Sequence, residues 1–247
     1  MIPLKSEKDL VMMRKSAEIL AAVMRRLREE IRPGISTREI DILTEELVLH
    51  KNAASAFKGY KGYPASICTS LNEEIVHGIP AERKLESGDI ISLDLGLNYQ
   101  GYFSDLAITV AVGKVNPKLK KLIEVTRKAL SEGIRQARPK MHLSDISYAI
   151  QSYVEKNGFS VVREFVGHGI GFSLHEEPEI PNFGRPGEGP VLKSGMVLAI
   201  EPMVNMGSWE SRILDNGWTA VTKDGQASAH FEHTVAITER GPEILTQ

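Results

Sequence analysis

Two stretches decide the fold: Ser87-Gly88-Asp89-Ile90-Ile91-Ser92-Leu93-Asp94 and, 107 residues on, Ser194-Gly195-Met196-Val197-Leu198-Ala199-Ile200-Glu201. Each opens with Ser-Gly, which is turn chemistry. Each then runs apolar, as a buried strand does, and closes on a carboxylate. The likeness continues toward the N-terminus. Arg32-Pro33 recurs 106 residues later as Arg138-Pro139, and the segments that follow run in parallel, with Glu39-Ile40 against Asp145-Ile146 and Val48 against Val154. A helix-like stretch precedes each Arg-Pro, from Glu7 to Ile31 and from Pro117 to Ala137, and Ser36 with Glu39 forms a capping-box pattern for a second helix. One such match is ordinary; their shared order marks an internal repeat. The expected architecture is α/β (α+β), with two similar halves, roughly residues 1–113 and 114–247, forming a single domain over 1–247. A pseudo-two-fold axis would then bring Asp94 and Glu201 together at its centre. Further strands are expected at Ala65–Ser70, Gly101–Val112, Trp218–Thr222 and Ala229–Thr238.

Composition narrows the function. A formal net charge of -2 at pH 7 argues against a protein that coats nucleic acid or a membrane surface. The single cysteine, Cys68, rules out an internal disulfide and a cysteine-based zinc site, and fits a reducing compartment. Met1 to Leu10 lacks the apolar core of a signal peptide, and no run approaches the roughly 20 apolar residues of a membrane span. A cytoplasmic protein is expected.

The chemistry lies in acids and histidines set in apolar or glycine-rich surroundings. Asp94 ends an apolar strand, where a carboxylate is costly unless paired or metal-bound. Asp105 follows 11 residues later, a gap that suits an antiparallel hairpin turning near Asn98 to Gly101. His168 is flanked by Gly167 and Gly169, and His175 follows in the same loop. Glu201 precedes Pro202, which stops the strand's hydrogen bonding. Glu232 lies in the alternating stretch from Ala229, which places His230 and Glu232 on one face and His233 on the other. Read singly, each is an ordinary loop or strand residue. Read together, four acids with an imidazole form an oxygen-rich set that suits Mn, Fe, Co or Zn, and so many carboxylates point to two cations.

At these residues, and over essentially the whole chain, the sequence resembles the type I methionine aminopeptidases of the pita-bread fold. The resemblance implies a central, mostly antiparallel sheet flanked by helices, and metal ligands at Asp94, Asp105, His168, Glu201 and Glu232. Asp105 and Glu232 would bridge two divalent ions; Asp94 would complete one site, and His168 with Glu201 the other. Glu201 would also act as general base. The stretch Asn72-Glu73-Glu74-Ile75-Val76-His77-Gly78-Ile79-Pro80 resembles the family segment that carries a substrate-binding histidine, here His77. His175 matches the histidine that contacts the scissile carbonyl. The methionine pocket would be formed by Tyr60, Tyr63, Cys68 and Trp218, with Leu174 where other members often carry an aromatic residue. A monovalent Na or K site would involve Asn72, Glu74 and Ser228.

The implied reaction is removal of the initiator methionine when the second residue is small. The substrate partner would be the N-terminal methionine of nascent polypeptides, met by a monomer in transient association with the ribosome, with no membrane and no specific nucleic-acid partner. Two rival readings are a prolidase-like or aminopeptidase P-like hydrolase and a non-catalytic ribosome-associated binding module. The chain's own second residue is Ile2, so Met1 is expected to resist removal.

Overall fold

Serine caps set the helices. The Ser6 side chain accepts from the Asp9 amide while Asp9 accepts from the Ser6 amide, and Ser36 and Glu39 make the same reciprocal pair, each satisfying donors a helix start leaves orphaned. In the computed structural model, which describes residues 2–247, these boxes open α1 (Glu7–Glu30) and α2 (Thr37–Leu49). The expectation for Met1 falls outside the described residues. Buried Leu10, Met13, Ala17, Leu20, Met24 and Leu27 of α1 recur every three or four residues and form one apolar stripe. The helix stops ahead of Pro33, because a residue preceding proline is driven out of helical geometry. The second half repeats the design. Pro117 stands in the first turn of α3 (Pro117–Gln136) after the cap Asn116, and α4 (Leu143–Lys156) follows.

The first half contributes β1 (Ala54–Ser55), β2 (Cys68–Leu71), β3 (Glu74–Val76), β4 (Ile90–Tyr99) and β5 (Tyr102–Ala111). The second contributes β6 (Ser160–Val161), β7 (Val166–Gly169), β8 (Glu176–Pro181), β9 (Val197–Ile200), β10 (Met203–Asn205), β11 (Ser211–Ile213), β12 (Ala220–Thr222), β13 (Ser228–His230), β14 (Glu232–Thr238) and β15 (Gly241–Ile244). One nine-stranded sheet takes strands from both halves in the order β1-β4-β5-β14-β9-β7-β8, with β2 on β4 and β15 on β14; β3 and β13 belong to two flanking three-stranded sheets. All its pairings are antiparallel.

Several expectations need correcting. First, β4 does not end at Asp94. Ile91, Leu93, Leu95 and Leu97 keep alternating into the core beneath the first helix pair, so the strand runs on to Tyr99 and turns at Gln100-Gly101. Second, Asp94 and Glu201 do not meet across the centre. Their strands are separated by β5 and β14, so the innermost acids are Asp105 and Glu232. Third, the strand expected over Ala229–Thr238 breaks at Phe231 into β13 and β14. The strands expected at Ala65 and Trp218 begin later, at Cys68 and Ala220.

Alternation sorts the central strands into two faces. Leu106, Leu198, Ile200, Val235 and Ile237 lie in the hydrophobic cores. Asp94, Asp105, Ala107, Ala199 and Glu232 take the other face. Among the described residues no helix is long and apolar enough to cross a membrane.

Candidate metal and substrate site

Sheet register assembles the acids. Cys68 pairs with Asp94, Asp94 with Ala107, and Ala107 with Glu232, giving one row across four strands. Since His233 pairs with Ile200, the next step of that ladder brings Glu201 opposite Glu232. Asp105 pairs with Gly96, one step along the same face. The middle of the row is Ala107, whose lone methyl leaves space above the sheet. His168 pairs with Ala199 and so projects on this face as well. Its flanking glycines are required, because a Cβ on Gly167 would overlap the Ala199 carbonyl and one on Gly169 the Glu177 carbonyl.

Asp94, Asp105, His168 and Glu232 are buried. Ligand-type atoms of Asp105, His168 and Glu232 lie within 4.8 Å of one another, and His168 Nε2 stands 3.5 Å from Glu201 Oε1. His168 Nδ1 donates to the Gly169 carbonyl at 2.9 Å, which leaves the Nε2 lone pair directed at the acids, as a metal-ligating imidazole requires. Asp94 Oδ1 and Glu232 Oε1 are buried with no hydrogen-bond partner. Four carboxyls so placed are unfavourable as bare anions, and oxygen atoms that lack protein partners beside a free imidazole nitrogen fit divalent cations.

Electrostatics agrees. Burial pushes the Asp94 and Glu201 carboxyls up to about 7, with Glu201 adding to the shift at Asp94. Burial and the neighbouring acids raise Asp105 and Glu232 well above the carboxylate range. An acid with a raised folded pKa keeps its proton where the unfolded chain has released it, so its stabilisation is lost as pH rises toward the folded pKa. Below pH 6.5 the histidines oppose this trend. Burial lowers His77 to about 4, and desolvation with nearby His168 and Lys61 lowers His175 to about 3, so the unfolded chain protonates them first. Metal-free protein is therefore expected to melt at lower temperature as pH rises from about 6.5 to about 8, and saturating divalent cation should flatten the trend because binding displaces the protons. Thermal melts with and without metal check this; a Tm that climbs over that interval in metal-free protein would contradict it.

A cavity of about 210 Å³ opens onto the acids, and every expected substrate-binding and metal-ligand residue lines it: Tyr60, Tyr63, Cys68, His77, Asp94, Asp105, His168, Leu174, His175, Glu201, Trp218 and Glu232. Its apolar end holds buried Tyr63 and Cys68 with Trp218 against them. The Tyr63 and Trp218 rings meet edge-on at 5.1 Å, and the Tyr63 hydroxyl donates to the Gly78 carbonyl at 2.9 Å. Burial holds the Cys68 thiol far above its ordinary pKa, so it is a neutral, soft wall. His77 stands at φ 59 just after β3, a conformation a non-glycine residue adopts at some cost, with its ring 6.4 Å from Trp218. Tyr60 stacks on His175 at 5.2 Å, and its hydroxyl lies 2.9 Å from His175 Nδ1.

Sequence reading missed two neighbours. Phe57 also lines the cavity, and a Cβ on Gly96 would run into both Phe57 and Leu174, so an aromatic ring stands beside Leu174 on the same wall. Its signal was proximity: Tyr60 N–H donates to the Phe57 carbonyl at 2.9 Å, within the turn already read as pocket. The other is His230, whose buried ring nitrogens have no hydrogen-bond partner and whose Nε2 sits 3.6 Å from Glu201 Oε2. His233 points the other way, to Thr246 at 2.9 Å. Away from the cavity, the Asn72 carbonyl accepts from the Ser228 amide at 2.8 Å, while the Asn72 side chain is engaged by Asp89 and Ile90 and that of Glu74 by Leu71 and Arg83.

The model of metallopeptidase family M24 matches residues 11–239. Methionine aminopeptidase of Clostridium perfringens is 53% identical over 246 residues, covering 100% of this chain and 99% of that protein. A crystal structure of methionine aminopeptidase from Rickettsia prowazekii superposes with a TM-score of 0.99 at 41% identity, over 100% of both chains. Prolidase from Pyrococcus furiosus is more distant, with 26% identity and a TM-score of 0.79, and only 65% of it is covered. A likeness of sequence and fold that runs nearly end to end is that of common descent, and the chain belongs to metallopeptidase family M24.

Proposed function

We propose that this protein is a type I methionyl aminopeptidase that hydrolyses the initiator methionine from nascent polypeptides when the second residue is small. One observation carries the reading: a cavity whose apolar end is lined by a thiol and aromatic rings, suited to a thioether side chain, opens directly onto a buried cluster of carboxylates and imidazole. The prolidase-like reading is disfavoured, since the chain is 53% identical to a methionine aminopeptidase and 26% identical to a prolidase. The binding-module reading is disfavoured because all the acids stand in place.

In this reading Asp94, Asp105, His168, Glu201 and Glu232 would hold two divalent ions from among Mn, Fe, Co and Zn, with Asp105 and Glu232 contributing to both. Such ions, when bound, polarise the scissile carbonyl and acidify water. The chain's own groups do the rest. Tyr63, Cys68, Trp218, Phe57 and Leu174 seat the methionine side chain. Glu201 accepts the proton of the attacking water on a carboxylate oxygen and passes it to the leaving amine. Tyr60 donates to His175 Nδ1, so the neutral ring keeps its proton on Nε2 and donates to the carbonyl oxygen. His77, also neutral near pH 7, binds the substrate. Asn72, Glu74 and Ser228 mark a Na or K site held through backbone carbonyls, the Asn72 and Glu74 side chains being committed elsewhere. Residues 1–247 act as one catalytic unit with halves meeting near 113, a monomer working in the cytoplasm in transient contact with the ribosome.

The test is hydrolysis of Met-Ala-Ser by metal-free protein titrated anaerobically with each cation, beside an Xaa-Pro peptide and Met-Ile-Ser. Metal-dependent release of methionine from Met-Ala-Ser alone is expected. Metal-independent turnover, preference for Xaa-Pro, or equal kcat/KM on Met-Ala-Ser and Met-Ile-Ser would overturn the reading. Phe57→Ala is expected to raise KM for Met-Ala-Ser by about tenfold, since truncating an aromatic wall removes roughly 1–2 kcal/mol of apolar contact, while kcat changes little. An unchanged KM would remove Phe57 from the pocket.

A further inference from the structure

One buried charge takes no part in this chemistry. Lys5 precedes α1 on the N-terminal segment, its side chain 1% exposed, and its ammonium pairs with the Glu176 carboxylate, 7% exposed. The segment is anchored, with the Lys5 amide donating to the Gly195 carbonyl at 2.7 Å. Lys5 Cε occupies the space that a side chain on Gly171 would need, and Nζ lies 5.3 Å from the Phe172 ring centroid.

Glu176 directly follows His175. While Oε2 meets Lys5, its Oε1 accepts the amides of Phe172 at 2.6 Å and Ser173 at 3.1 Å. Behind these residues the hairpin is fixed by the pairing of Gly169 with Glu176 and by the Ile170 amide on the Val197 carbonyl. The turn carrying Leu174 and His175 is thus held from inside by one carboxylate, and that carboxylate is neutralised from a segment about 170 residues away in sequence.

We propose that Lys5 is a positioning residue: by pinning Glu176 over the Phe172 and Ser173 amides, it sets where His175 and Leu174 stand in the cavity. The proposal rests on the reading of His175 given above. Without Lys5 the Glu176 carboxylate is a buried anion lacking its cation, which favours its swinging out to water and freeing the turn.

Lys5→Met tests this with Met-Ala-Ser, assayed well below its Tm. The kcat is expected to fall about tenfold or more, because a displacement of about 1 Å in a catalytic group can cost about 10²-fold. Metal content should stay at the wild-type level, and the Phe172 and Ser173 amides should exchange hydrogen faster. Two double variants bury no unpaired charge and guard against failure to fold. Lys5→Met with Glu176→Gln keeps an acceptor for the turn amides and should recover to within about threefold of wild type, whereas Lys5→Met with Glu176→Ala should stay low. A brace that serves stability alone would lower Tm while leaving kcat and amide exchange unchanged in Lys5→Met, or leave the Glu176→Ala double variant at wild-type kcat; either result overturns the proposal. His175→Ala run in parallel separates the two ideas. Were that variant fully active, the role of His175 would fall, and amide exchange at Phe172 and Ser173 would still decide whether Lys5 fixes the turn.

Discussion

Asp105→Asn and Glu232→Gln are each expected to lower kcat by about 10³-fold or more, because each side chain is assigned to both cations and the charge stabilisation at stake is worth several kcal/mol, at about 1.4 kcal/mol per tenfold in rate. The amides keep the shape of the acids but offer one neutral oxygen where a carboxylate offered two charged ones. Folding should respond in the opposite direction. Burial and like charge raise both acids well above their usual range, so at about pH 8 they burden the metal-free fold, and a neutral amide relieves part of that burden. Metal-free Asp105→Asn should therefore melt at or above the temperature of metal-free wild type, while its gain in Tm on adding Mn or Co shrinks. Loss of turnover together with preserved apo stability is the signature of a ligand. Wild-type activity in either variant would defeat the assignment.

His175→Ala is expected to cost about 10²- to 10³-fold in kcat, the range for removing one donor to a developing oxyanion, with both metal equivalents retained. The ring contacts His168 at a centroid distance of 4.2 Å but belongs to the turn rather than to the acid row. With its pKa lowered to about 3 it stays a neutral donor throughout the working range, so its removal should leave no new ionisation in the pH profile of the residual activity above about pH 5. Loss of a metal equivalent in the variant would make His175 a ligand instead. Tyr60→Phe, which deletes only the hydroxyl on Nδ1, should lose about tenfold, since groups that orient a functional imidazole typically contribute about 10- to 100-fold.

The acids were legible in the sequence because a carboxylate within or beside an apolar strand is costly, and the helices because caps and prolines mark their ends locally. What escaped was set by long-range pairing. Nothing local to Asp94 says that β5 and β14 will separate its strand from β9, so the acids expected at the centre are its flanks. The continuation of β4 was visible at Leu95 and Leu97, but the carboxylate drew the eye as an end. Phe57 and His230 were missed for different reasons. Phe57 stands beside the turn already read as pocket, but its ring enters the cavity only through packing against distant Gly96 and Leu174; His230 reaches Glu201 through a break at Phe231 that no turn residue announces. Lys5 and Glu176 carried no signal at all, since a lysine and a glutamate far apart in sequence read as two surface charges.

The placement of β14 has a consequence in time. Translation delivers Asp94 and Asp105 early, on a hairpin that closes by local pairing, but Glu232 arrives on nearly the last strand made. A ribosome partway through this chain holds half of the proposed metal site, and two acids without their partners bind a divalent ion weakly. The protein should therefore stay inert until β14 slots between β5 and β9, and then acquire cations and competence in a single cooperative event.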